Sequence, residues 1–356
     1  MSRAQQIRGY CAHLGCMNTT GSHSSVAVIT GGTAGLGRAI TRELAARGYD
    51  VGVLARGHDG LDGAVADVEA AGRRGLGIPT DVSDADAVEA AADRIEAELG
   101  PIDIWINDAM AGVFGEFATT DPQDFARAFT VDFFGFVNGT RAALHRMQSR
   151  NRGAIVQVGS ALAHRGIPLQ SAYCSAKHAI NGFDESLTTE LLHNKSRVTL
   201  SQVDMPAMNT VQFNWVKSQL PDHPQPVAPI YQPEICAKIV VDVAQKPRRR
   251  TWVGGSTVYT ILGNRLSTRF ADWYLAKTGY SSQQAPNISD PMIGPNLYEP
   301  VAGDQGAHGV FDDKAHAITL QTWGLRHRRL MYGVGAVTAA LAGVSTCRTL
   351  LKMVRS

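Results

Sequence analysis

Short apolar runs rich in β-branched residues alternate along this chain with longer stretches of helical spacing. Val26–Thr30 is such a run, ends in glycines, and predicts a buried strand. Gly37–Arg47 then reads as a helix stopped by Gly48. Val51–Ala55 and Gly75–Pro79 predict a second and a third strand, and a helix is expected from Ser83 to Gly100, with Ser83 and Asp86 as its capping box. Asp103–Ile106 is the fourth strand. Asp121 followed by Pro122 is a cap and a first-turn proline, opening a long helix toward Gln148. Ala154–Val158, Val198–Val203 and Thr251–Val253 complete the strands, with a helix over Ala172–Leu192. Strands alternating with helices imply parallel βαβ units: an α/β fold with a doubly wound, mostly parallel sheet and helices on both faces.

The pattern divides the chain into a polar lead-in (1–24), an α/β domain (25–276), an extended arm (277–329) and an apolar C-terminal helix (330–356). The arm is punctuated by Pro286, Pro291, Pro295 and Pro300 and has no clear periodicity. With 356 residues, 44% of them hydrophobic, the chain can bury a sizeable core. A net charge of +2 gives no general case for nucleic-acid binding. Cys11, Cys16, Cys174, Cys236 and Cys347 are odd in number and scattered, as free thiols in a reducing cytoplasm would be. No metal site is expected: Cys11, His13 and Cys16 do not complete a zinc set. His308, His316 and His327, with Asp304, Asp312 and Asp313, match no compact ligand spacing.

Ligands of doubly wound sheets bind beyond the carboxyl ends of the strands. Thr30, Arg56, Asp81, Asn107 and Ser160 all fall at or just past predicted strand ends. In Thr30–Gly37, Gly31 permits the turn, Gly35 lets the backbone approach a pyrophosphate and Gly37 lets helix and strand pack closely. Arg56 follows the second strand with no acidic residue before it, which suits a 2′-phosphate and favours NADP(H) over NAD(H). Asp81 is a candidate acceptor for an adenine amino group, or an ordinary turn residue. Tyr173 and Lys177, four apart on one helix, share a face, and an ammonium beside a phenol should lower the phenol pKa. Together these residues predict hydride transfer between a nicotinamide cofactor and a carbonyl or alcohol.

The ordered set Thr30–Gly37, Asp81, Asn107-Asp108-Ala109-Met110, Ser160, Tyr173 and Lys177 resembles the short-chain dehydrogenase/reductase family over about Ser25–Ala276. The resemblance implies a Rossmann-type fold and an oligomer, with Tyr173 as general acid or base, Ser160 on the substrate oxygen and Lys177 on the nicotinamide ribose. It implies cofactor contacts from Gly31, Thr33, Ala34, Gly35, Leu36, Gly37, Val82, Asn107, Ala109 and Thr210, beside Arg56, Asp81, Tyr173 and Lys177. This chain departs from the family in three places. Met110 and Asp108 stand where Gly and Asn are usual, and Asp132 stands where an asparagine often completes a proton relay. Val211, Phe213 and Trp215 read as a substrate lid or as core packing.

Leu330–Cys347 is an uncharged run flanked by arginines, so 330–351 reads as a membrane contact, a peripheral helix or an oligomer helix. The expectation is a cytoplasmic NADPH-dependent reductase of a fairly apolar carbonyl compound. Two rivals stand beside it: an NAD-dependent alcohol dehydrogenase and a non-catalytic binding protein.

Overall fold

The computed structural model describes residues 24–288 and 292–327. The lead-in with Cys11, His13 and Cys16, and the apolar run Leu330–Cys347, lie outside the described residues. Among those described, no helix is long and apolar enough to cross a membrane.

Seven parallel strands form the central sheet: β1 (Val26–Thr30), β2 (Asp50–Ala55), β3 (Gly75–Pro79), β4 (Ile102–Asn107), β5 (Gly153–Ser160), β6 (Val198–Met205) and β7 (Arg250–Trp252). Their spatial order is β7-β6-β5-β4-β1-β2-β3. The winding therefore reverses on either side of β1, and a crevice opens there at the carboxyl edge. The register brings Thr30 opposite both Leu54 and Asn107, and Asn107 opposite Gln157, so the predicted site residues share that edge.

Side chains alternate across the sheet, as period 2 requires. Ala27 and Ile29 belong to the apolar cluster under α1 (Gly35–Ala46), α2 (His58–Ala70) and the later helix Pro233–Gln245. Val26 and Val28 belong to the opposite cluster, under α3 (Ala85–Glu98), α5 (Gly135–Arg150) and α6 (Ser171–His193). Each large apolar side chain fully buried there contributes about 1.5–3 kcal/mol.

The local readings need three corrections. The cap of α3 is Asp84, whose carboxylate accepts from the N–H groups of Asp86 and Ala87, while Ser83 turns back onto Asp81. The long helix after Asp121 is two helices, α4 (Pro122–Phe129) and α5, joined by a π-turn over Thr130–Phe134. The helix α2 was not foreseen: its core face is only Leu61, Ala64 and Val68, interrupted by Gly60 and Gly63. Beyond β6 the chain forms α7 (Gln212–Trp215), α8 (Pro233–Gln245), α9 (Gly255–Leu266), α10 (Thr268–Thr278) and α11 (Leu320–Arg326).

Candidate active site

The crevice is a cleft with a cavity of about 460 Å³, lined by the Gly-rich turn, the strand ends, α7, α9, α10 and the arm. Its floor is tied by Thr30, whose buried hydroxyl accepts from the N–H groups of Asp108 (3.1 Å) and Ala109 (3.2 Å). Gly31 and Gly35 have φ of 73° and 54°, a region that favours glycine. A Cβ on Gly37 would lie 2.1 Å from the Gly31 carbonyl oxygen, so this turn can close onto α1 only without one. Gly31, Thr33, Ala34, Gly35 and Leu36 line the cleft, and Ala34 gives α1 no side-chain cap. Uncapped N–H groups at a helix start are suited to an anion such as a pyrophosphate.

At the β2–β3 end, Arg56, Asp81 and Val82 face the cleft as expected. Asp81 is more committed than the sequence suggested. One carboxylate oxygen pairs with Arg127 at 2.5 Å and the other accepts from Ser83, which holds the carboxyl below its ordinary range despite burial. Arg127, on α4, went unnoticed: it lies 46 residues from Asp81, and no local pattern marks it. Arg56 donates to the carbonyls of Asn296, Leu297 and Tyr298 in the arm, the last at 2.7 Å. Burial and the nearby Arg127 lower its pKa.

At the β4–β6 end, Ser160, Tyr173 and Lys177 all come together on the cleft wall. Ser160 acts on the Tyr173 hydroxyl as a hydrogen-bonding neighbour that lowers its pKa. Lys177, 3% exposed, donates to the Val158 carbonyl at 2.9 Å and sits 4.2 Å above the Phe136 ring. The expected lowering of the phenol pKa by Lys177 does not hold. Burial raises it, the nearby Asp132, Cys174 and Asp108 add to the rise, and Ser160 opposes it. Lys177 is itself lowered by burial, against the pull of Asp132, Asp108 and Asp204.

Asp132 sits on the π-turn, fully buried, with one oxygen accepting from the Ala111 N–H at 2.7 Å. Its Oδ2 has no partner among the described residues, and burial pushes the carboxyl up to about 7 against the pull of Lys177. Asp108 lines the cleft, and its carboxyl is likewise raised by burial. Thr210, 3% exposed, lines the cleft, and its hydroxyl has no partner among the described residues.

The Asn107 side chain does not reach the cleft. Its side-chain amide is bonded behind the sheet to Trp105, Thr140 and Gln157, which leaves its backbone alone to meet a cofactor, while Ala109 lines the wall. Phe213 lines the cleft and packs edge-on against Phe114 and Phe311. His308 is held in ion pairs with Glu234 (2.7 Å) and Asp312 (2.9 Å). Among the described residues, no cluster of ligands could hold a metal ion.

A family model for short chain dehydrogenases matches residues 25–219. An uncharacterized oxidoreductase of Bacillus subtilis, YxnA, is 30% identical over 287 residues, 80% of this chain and 81% of its own. The 2,3-dihydro-2,3-dihydroxybenzoate dehydrogenase of the same organism is 35% identical over 52% of this chain and 70% of its own. A solved short-chain dehydrogenase from Streptomyces avermitilis superposes with a TM-score of 0.60 at 26% identity, covering 73% of this chain and 99% of its own. The chain belongs to the short-chain dehydrogenase family and is an NAD(P)-dependent oxidoreductase.

Proposed function

We propose that this chain reduces the carbonyl group of a fairly apolar small molecule, with NADPH as the favoured cofactor and Tyr173 as the proton donor. The observation that carries this reading is the Tyr173–Ser160 pair on the cleft wall, with Lys177 buried behind it. Reduction needs a proton at the oxygen as hydride reaches the carbon. A phenol is protonated at neutral pH and so has a proton to give, while burial, by raising its pKa, makes it a weaker acid in the empty cleft. Ser160 would hold the substrate oxygen against Tyr173. The cofactor, when bound, supplies the hydride. Thr210 would take its carboxamide, Lys177 its ribose, and the turn at Gly31–Leu36 its phosphates. Phe114, Phe213, Trp215 and Met110 line the remaining wall, which favours an apolar substrate.

Arg56 and Arg127, two cations at the adenosine end, support the choice of NADPH. A second reading, NADH with the reaction run as alcohol oxidation, is favoured by one observation: Arg56 already donates to three carbonyls of the arm. A homo-oligomer belongs to the same proposal, because Phe134 is 48% exposed within an aromatic group with Phe129 and Phe133.

Titration with NADPH and NADH, read by energy transfer from tryptophan, tests the cofactor, and a screen of carbonyl compounds tests the reaction. Tyr173→Phe should cut kcat by about 10²–10⁴-fold while the NADPH Kd stays the same. Unchanged turnover in that variant would remove Tyr173 from the mechanism.

A further inference from the structure

The arm does not trail away from the domain; it runs along the rim of the cleft. The Asn296 N–H donates to the Trp215 carbonyl of α7 at 3.0 Å. The next carbonyls meet the cleft arginines: Arg56 at residues 296–298, and Arg127, whose Nε donates to Leu297 at 3.1 Å. Leu297 itself is fully buried. Pro300 then crosses the turn after β2, where a Cβ on Gly57 would lie 3.3 Å from its own.

Asp304 receives a two-pronged ion pair from Arg38, at 2.8 and 3.1 Å, and Arg38 is only 2% exposed. Two residues later the Gly306 carbonyl accepts the N–H of Gly35, the first residue of α1, at 2.9 Å. The run ends where the Phe311 N–H donates to Asn209, next to Thr210, at 3.0 Å. One segment therefore touches the adenosine end, the Gly-rich turn and the Thr210 loop in turn.

The chemistry of these contacts is selective. The arm presents carbonyl oxygens and one carboxylate. Its partners include two cleft guanidiniums and the N–H at a helix start, all groups that otherwise receive phosphate oxygens. The arm and a phosphate ligand thus call on the same donors. Pro300, Val301, Gly303 and Gln305 also line the cavity, so a ligand there would lie beneath the arm.

We propose that residues 296–306 are a strap over the dinucleotide site, that the Arg38–Asp304 pair is its latch, and that opening the latch sets the rate of cofactor exchange. The proposal rests on the dinucleotide reading above. It adds that the donors are handed from the strap to the phosphates as the cofactor seats. Entry and exit are then limited by the strap rather than by diffusion.

The test is release of pre-bound NADPH, followed in stopped flow by loss of tryptophan energy transfer when excess NADP⁺ is added. Asp304→Asn keeps the shape and removes the charge, and should speed release about tenfold, since it takes away the strap's ion pair to the buried Arg38 guanidinium. A double variant, Gly57→Cys with Pro300→Cys, places two Cβ atoms close to disulfide spacing. Oxidised, it should hold the strap shut and slow release about tenfold or more, with dithiothreitol restoring the original rate. The wild-type chain under the same oxidant is the baseline. If both variants release NADPH at the wild-type rate, the strap is overturned and the cofactor reading stands. If the folded wild-type chain binds neither NADPH nor NADH, both fall together.

Discussion

Asn107 and Asp108 are neighbours in sequence, yet they belong to two polar clusters of opposite character. Asn107 points behind the sheet. It accepts from the Trp105 indole at 2.8 Å and donates to Gln157 at 2.8 Å and Thr140 at 3.1 Å, and Gln157 donates in turn to Thr140 and, at the far edge, to Asp184. Asp184 is the network's exception: a carboxyl raised to about 7 by burial, with one oxygen unpartnered among the described residues. Asp108 points into the cleft, where it and Asp132 share one ammonium, Lys177, and where Asp132 keeps an unpartnered oxygen. A buried network of satisfied amides fixes geometry and moves no protons. Carboxyls short of partners hold protons with perturbed affinity, as functional sites often do. The two clusters lie at one end of β4, and the difference between them separates what holds the cleft open from what can act in it.

The largest effect expected from breaking this contrast is on the satisfied side. Asn107→Ala would strand the Trp105 N–H and the Gln157 carbonyl oxygen in a dry layer. It should cost about 3–4 kcal/mol of stability, read as a lower urea midpoint with the slope unchanged. Turnover per folded molecule should change little. Gly139→Ala probes the same layer from the helix, since a Cβ there would lie 2.1 Å from the Asn107 carbonyl oxygen. A loss below about 1 kcal/mol in both variants would mean that these hydrogen bonds do not hold the layer together.

On the cleft side the expected effect depends on pH. Asp132 titrates at about 7 in the fold, above its unfolded value. A raised acid holds its proton in the folded state after the unfolded chain has released it. Its stabilising contribution is therefore full below the unfolded pKa and is lost as pH rises toward 7. Asp132→Asn has no proton to lose. It should match the wild type near pH 4 and exceed it increasingly toward pH 8, by about 1.4 kcal/mol for each pH unit passed between the unfolded and folded pKa. Equal stability at both pH values would show that the carboxyl titrates normally.

Much of the fold and of the site can be read in the chain alone, and the remainder, this contrast included, cannot, for physical reasons. Apolar β-branched runs ending in glycine marked the strands, since burial on both faces leaves that composition. Tyr173 and Lys177 could be paired because helical spacing alone puts them on one face. The two directions of Asn107 and Asp108 were hidden: one is the last residue of β4 and the other the first beyond it, so their difference depends on strand parity at its end. Arg127 and Asp304 were hidden more deeply. Asp304 reaches Arg38 across 266 positions, from an arm whose backbone carbonyls, not its side-chain pattern, make most of the contacts.

The smallest effect, and the sharpest on function, concerns Asp108. Its Oδ2 would lie 2.9 Å from a Cβ on Gly37, so the carboxyl faces the start of α1, where phosphates are proposed to sit. Burial keeps it protonated above the usual carboxylate range, and Lys177 opposes that shift. A neutral Asp108 leaves the helix start attractive to an anion, and an ionised one sets a negative charge beside it. NADPH affinity of the wild type should therefore fall as pH rises through this ionisation. Asp108→Asn should flatten the fall, a difference of about three- to tenfold at the alkaline end, or about 1 kcal/mol. Stability of the variant at pH 6 should stay close to the wild type, because both side chains are neutral there. Parallel pH profiles for the two proteins would place the titrating charge elsewhere in the cleft, and the carboxyl pair would then shrink to Asp132 and Lys177 alone.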